Sequence, residues 1–240
     1  MKLLIKHYWD FDIDFKKINK MYHGLIYSIL KSNNLTSDDY KKTNYSFNPP
    51  IFKKIEKNKI YTLEFASNDN ELIQHIKNLS FNNFHIVEII EEDNLLLSNF
   101  LYVCNYHNIL NETICKNWMI DMNGKKNIQF RKQHSLKLLQ ELIEVQSTIL
   151  FQRYSDLKLE YNKKLDNGFE YVSFIKNIKI IDENNLHIKN SYATTYNLLI
   201  EFDLNRNTSK IVNNILNLGL GSKNGYGFGF VKSIIQKDYK

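Results

Sequence analysis

Polar and apolar residues alternate over positions 2–9, a period of two that predicts an opening strand. The period lengthens to that of a helix over 20–31, and the polar stretch 32–42 follows as a loop. Strands are predicted at 45–51 and 59–66. Ser67, Asn68 and Asp69 then supply capping side chains ahead of a short amphipathic helix at 71–79, with Leu72, Ile73, Ile76 and Leu79 turned inward. A strand at 84–90 completes the order strand, helix, strand, strand, helix, strand. That is the order of the ferredoxin-like split βαβ unit, the framework also used by RNA-recognition modules. The acidic break Glu91-Glu92-Asp93-Asn94 is the expected boundary.

Beyond the break, strands are predicted at 100–106 and 117–122, with a hairpin turn at Met122-Asn123-Gly124-Lys125 leading into 127–131. A longer amphipathic helix follows at 135–154, with Leu138, Leu139, Leu142, Val145, Ile149 and Leu150 on its apolar side. Strands at 157–161, 171–181 and 192–202, a helix at 210–218 and a closing strand at 228–235 fit a second such unit carrying a hairpin insertion. The expected fold is α+β: two tandem ferredoxin-like, or RRM-like, domains spanning 1–94 and 95–240.

On a 100° wheel, Met21, Tyr22, Leu25, Ile26, Ile29 and Leu30 fill one half of the first helix. His23, Gly24, Tyr27, Ser28 and Lys31 fill the other. His23 and Tyr27 are i, i+4 neighbours, Lys31 follows one turn on, and Lys20 extends the row. Such a row offers an acid or base near neutrality, a phenolic hydroxyl and a cation for a phosphorane. A solvated helix face carries the same residue types, so the helix alone leaves both readings open.

The tail is the other informative stretch, Gly219-Leu220-Gly221-Ser222-Lys223-Asn224-Gly225-Tyr226-Gly227-Phe228-Gly229-Phe230-Val231. It holds five of the chain's 8 glycines within eleven residues. Glycine reaches positive φ without strain, and strings of such residues can turn successive N–H groups toward an anion. Lys223 adds a charge, and Tyr226, Phe228 and Phe230 add surfaces for stacking. The loop follows a helix and enters a strand, the reverse of the dinucleotide fingerprint, and it lacks the Gly-Lys-Ser or Gly-Lys-Thr of a P-loop. The formal net charge of +6 leans the same way, toward an acidic partner.

Other chemistry is sparse. Cys104 and Cys115 form neither a metal-ligand spacing nor a Cys-x-x-Cys pair, and are expected as thiols in a reducing cytoplasm. No carboxylate or Cys/His cluster suggests a metal, and no cofactor is expected. His7, His75, His85, His107, His134 and His187 are expected in structural or surface roles. No run approaches ~20 apolar residues, so no membrane span is expected. Residues 1–6 are too short an apolar run for a secretory leader.

Taken together, the tail from Gly219 to Val231, the helix motif Gly24-Leu25-Ile26-Tyr27 continuing to Lys31-Ser32-Asn33, and the two ferredoxin-like halves resemble a known family. It is the CRISPR-associated RNA-processing endoribonucleases of the RAMP superfamily, the sixth Cas family. The resemblance implies metal-independent cleavage within the repeat of a CRISPR precursor transcript. The ribose 2′-hydroxyl attacks the adjacent phosphate, leaving a 2′,3′-cyclic phosphate and a 5′-hydroxyl. Tyr27 matches the helix tyrosine that members use in catalysis. The histidine that often follows this helix has no counterpart in Thr36-Ser37-Asp38-Asp39-Tyr40-Lys41-Lys42. Either His23, on the helix itself, or Tyr40, near the missing histidine's place, fills that role. Lys41 or Lys42 matches the loop lysine. Lys31, Gly219, Gly221, Lys223, Asn224, Gly225, Gly227 and Gly229 carry RNA binding, support of the catalytic helix, or both. The implied partners are CRISPR repeat RNA and CRISPR effector proteins, with the chain a monomer or homodimer. The alternative is a non-catalytic RAMP subunit that binds RNA in an effector complex.

Overall fold

The computed structural model describes residues 1–33, 44–50, 53–188 and 191–235. Its frame is two four-stranded antiparallel sheets. The first uses β1 (Lys2–Trp9), β2 (Tyr45–Asn48), β3 (Tyr61–Ser67) and β4 (Phe84–Glu92) in the order β2-β3-β1-β4. The second uses β5 (Phe100–Tyr106), β6 (Ile175–Ile188), β7 (Ser191–Phe202) and β8 (Phe230–Ile234) in the order β6-β7-β5-β8. In each sheet the first and third strands are the central ones, and a helix precedes the second and the fourth. The helices of the first half are α1 (Ile18–Ser32) and α2 (Asn70–Lys77). Those of the second are α3 (Glu112–Asn117), α4 (Leu136–Tyr154) and α5 (Arg206–Leu218).

The local causes are legible. β1 buries Leu3, Ile5, His7 and Trp9 and leaves the residues between them half-exposed, the signature of a strand with one covered face. α1 turns Ile18, Tyr22, Leu25, Ile26, Ile29 and Leu30 onto that face. Asp69 caps α2 by accepting from the Leu72 amide (3.1 Å), and Ser135 caps α4 by accepting from the Leu138 amide (3.1 Å). Each half has its own hydrophobic core.

Four sequence expectations need correction. The strand expected at 117–122 is replaced by α3 and a turn. Asn111 caps α3 through the Ile114 amide (2.9 Å), and the Ile120 amide then folds back to the Cys115 carbonyl (2.8 Å). The Met122–Lys125 turn does form, but residues 127–129 pair with 109–111 instead. The apolar alternation at 157–161 finds no partner strand among the described residues. Its Lys158 and Glu160 carbonyls accept instead from Lys210 and Asn207 of α5. On α4, Ile149 is 38% exposed, and Ile143 and Phe151 take the inward places.

One buried acid organises the second half. Glu144 of α4 is inaccessible, and its Oε1 accepts from the Phe174 and Ile175 amides (both 2.9 Å) and the Ser173 hydroxyl (3.0 Å). It thereby receives the donors that would be orphaned where the chain enters β6.

The halves join through α5, β8 and the facing sheets. Asn217 and Leu216 at the end of α5 accept from Asn94, and the Asn217 carbonyl accepts from Ser46 of β2 (3.2 Å). Ala66, Cys104 and Phe230 form a small apolar contact between the sheets. Beside it Lys232 pairs with Glu64. Burial pushes the Glu64 carboxyl up, but the charge and hydrogen bond of Lys232, with Asn48 and Lys2, outweigh it and hold the carboxyl below its ordinary value.

Candidate functional site

The segment from α5 to β8 is a tight loop lodged between the two halves. Gly219 ends α5 at φ +76, and its N–H bonds the Ile215 carbonyl (2.8 Å). The loop is closed at its base where the Leu220 amide donates to the Gly229 carbonyl (2.7 Å). Ser222 docks on the end of β5: its amide donates to the His107 carbonyl (2.6 Å), and its hydroxyl accepts from His107 Nδ1 (2.7 Å). Between these anchors residues 224–226 make one 3₁₀ turn.

This geometry accounts for part of the glycine content. The amides of residues 219, 220, 222, 226, 227 and 229 all donate to protein carbonyls, so these six are not open to an anion. Close packing accounts for Gly219, Gly221, Gly227 and Gly229. A Cβ on Gly221 would stand 2.5 Å from the His107 carbonyl oxygen, where no side chain fits. Asn224 is likewise internal: it is buried, and its Nδ2 donates to the Leu218 carbonyl (2.8 Å). Lys223, exposed and at φ +65, is what the loop presents outward.

α1 meets this loop along one edge. Asn19 Nδ2 donates to the Tyr226 carbonyl (2.8 Å), and His23 Nδ1 donates to the Gly225 carbonyl (2.5 Å). The two residues are i and i+4, so one edge of the helix grips two consecutive carbonyls. The His23 ring also stacks on Tyr226, with centroids 3.9 Å apart and planes at 20°. Tyr27 lies next along the row, exposed, with its ring centroid 6.1 Å from that of His23. The carbonyl acceptor requires the proton on Nδ1, which in the neutral form of the ring puts the lone pair on Nε2. Lys31 is exposed at the end of the helix. Tyr40, Lys41 and Lys42 lie outside the described residues.

The opposite side of α1 is pinned from beneath. His7 Nδ1 donates to the Ile5 carbonyl (3.0 Å), so neutral Nε2 accepts from the Tyr22 hydroxyl (2.5 Å), which accepts in turn from Trp9 Nε1 (3.3 Å). Burial pushes His7 down to about 4, against the Ile5 bond, and pushes the Tyr22 phenol up. His107, buried and close to Lys223, is also pushed down to about 4. Both imidazoles are neutral in the native state, whereas the unfolded chain takes up protons near the ordinary 6.5. Stability is therefore expected to be full above pH 6.5 and to fall as the pH drops from about 6.5 toward about 4, by on the order of 3 kcal/mol from His7 alone. Urea denaturation at pH 7.5 and pH 5 measures it, and His7→Gln should flatten the difference.

Sequence reasoning singled out His23, Tyr27 and the loop, and the structure adds Asn19, whose amide reads as ordinary helix surface. It also placed Tyr226 as a general stacking surface, where the fold turns its ring onto His23. Among the described residues no group of three or more His, Cys, Asp or Glu side chains is arranged to hold a metal ion, and no helix is long and apolar enough to cross a membrane.

No family model matches the sequence, and no curated protein matches it. By fold, the chain is similar to solved structures over nearly its whole length. One is a RAMP protein described as binding different RNA substrates, with a TM-score of 0.67 and 16% identity, covering 98% of this chain and 100% of that one. Another is a CRISPR-associated protein Cas6, with a TM-score of 0.68 and 14% identity over 98% and 99% of the two chains. A Cas6-related protein from Pyrococcus furiosus gives 0.65 and 17% identity, also over 98% and 99%. At these identities the likeness is one of fold.

Proposed function

We propose that this chain is a cytoplasmic RNA-processing endoribonuclease of the Cas6 kind, built as two ferredoxin-like domains, 1–94 and 95–240. It binds CRISPR repeat RNA and cleaves it without a metal. The observation that carries this reading is the seating of His23 on the Gly225 carbonyl and the Tyr226 ring, with Tyr27 beside it. A helix histidine in one fixed tautomer, next to a phenol on a basic face, is what the internal attack of a ribose hydroxyl requires.

In the reaction, His23 Nε2 takes the 2′-hydroxyl proton, the O2′–P bond forms, and the P–O5′ bond breaks. Water protonates the departing O5′. Tyr27 donates to a non-bridging oxygen, and Lys31 with Lys41 or Lys42 offsets the growing negative charge. The nucleophile is internal, so the protein's main contribution is in-line placement and proton transfer. The glycine loop serves by fixing the base.

A second reading, an RNA-binding RAMP subunit without catalysis, draws on the solved RAMP protein described as binding different RNA substrates. One experiment separates them. The protein is incubated with repeat RNA in EDTA, and the product ends are analysed. A 2′,3′-cyclic phosphate with a 5′-hydroxyl supports the enzyme, and binding without product supports the subunit. Absence of both removes both readings.

A further inference from the structure

Gly24 breaks the local logic of α1. It stands inside a 15-residue helix, away from either end, where glycine is much less favourable than alanine. Among the described residues, packing does not require it. Its backbone is exposed, its φ is ordinary, and a Cβ built there meets nothing within 4 Å among the described residues. This differs from Gly219, Gly221, Gly227 and Gly229 of the loop, each of which is crowded and held at positive φ. A helix that keeps its weakest residue where no described residue asks for it is giving up stability, and its exposed face is where that concession can serve a function.

The surroundings indicate what that is. Lys20 is one turn before Gly24 and Ser28 one turn after, while Tyr27 and Lys31 stand on the adjoining strip of the same face. Lys20 and Lys31 are both exposed, so the missing side chain leaves a notch with a cation on either side and the Tyr27 phenol at its edge. His23 lies just beyond Tyr27 in the same row.

We propose that this notch is a subsite for the RNA sugar–phosphate backbone, which crosses α1 over Gly24 with its phosphates between Lys20 and Lys31. The assignment rests on the RNA-cleaving reading and adds the path of the strand. Direct contact with helix backbone lets a phosphodiester approach closer than any Cβ permits, and brings the neighbouring phosphate to Tyr27 and His23. Side chains here act against binding in proportion to their bulk while strengthening the helix.

The test uses Gly24→Ala and Gly24→Leu in the full chain, read by thermal denaturation and by anisotropy of labelled repeat RNA in EDTA. Both variants are expected to melt about 2–4 °C above wild type, because alanine and leucine are better helix formers. Affinity is expected to fall about 3- to 10-fold for alanine and more than about 30-fold for leucine. The salt dependence should shallow by about one to two phosphates as the strand lifts from the lysines. Variants that melt higher yet bind as wild type overturn the subsite, and so do variants that melt lower, since the space would then be needed by the protein itself. Failure of the wild type to bind repeat RNA defeats the functional reading instead.

Discussion

Replacing His23 by alanine is expected to slow formation of the cyclic-phosphate product by about 10²- to 10⁴-fold, the range that a positioned proton acceptor contributes. RNA affinity should change far less, because the ring faces the loop and Tyr27 rather than a row of phosphates. Single-turnover rates at saturating protein, in EDTA, isolate the chemical step. Alanine alone leaves an ambiguity, since it also removes the bond to the Gly225 carbonyl and the stack on Tyr226. His23→Asn addresses this: its amide nitrogen can still donate to Gly225, but no nitrogen lone pair remains to take a proton. The two variants are expected to fall together. If asparagine cleaves as fast as wild type, His23 is a clamp and the base lies elsewhere. Tyr27→Phe, keeping the ring and losing the hydroxyl, should fall less far.

Much of the frame was legible because it rests on periodicity. The alternation of β1 and the wheel of α1 name the buried residues almost one for one, and Asp69 and Ser135 mark helix starts through side chains whose chemistry is local. The failures have the opposite character. The 157–161 run has the pattern of a strand, but only tertiary structure decides whether a neighbouring strand is available, and here α5 side chains occupy its carbonyls. The loop divides the same way. Its position and its opposition to α1 followed from the glycine density and the resemblance. Whether its amides face outward or inward depended on where the ends of β5 and α5 lie. Asn19 had no sequence signal beyond its i−4 relation to His23, a relation that acquires meaning only once two loop carbonyls are known to sit opposite.

The closed base of the loop makes Gly229→Ala the most damaging single substitution expected in the tail. Gly229 sits at φ +68, its N–H donates to the Cys104 carbonyl (2.8 Å), and its own carbonyl receives the Leu220 amide. A Cβ there would stand 1.7 Å from the Leu220 carbonyl oxygen, a backbone atom with no freedom to rotate away. Either the closing Leu220–Gly229 bond or the anchor on β5 must give. Gly124 is the control: it has φ +74, but a Cβ there meets nothing within 4 Å. Gly124→Ala therefore isolates the strain of positive φ and should cost about 1 kcal/mol. Gly229→Ala adds steric overlap and should cost on the order of 3 kcal/mol or more, a drop of about 6–12 °C in melting temperature. The loss should also reach the site. Opening the base of the loop frees the carbonyls that Asn19 and His23 hold, so single-turnover cleavage should fall even at temperatures where Gly229→Ala is still folded. If the two alanine variants melt alike and Gly229→Ala cleaves normally, the loop does not need its closure, and the link from the glycine tail to His23 fails with it.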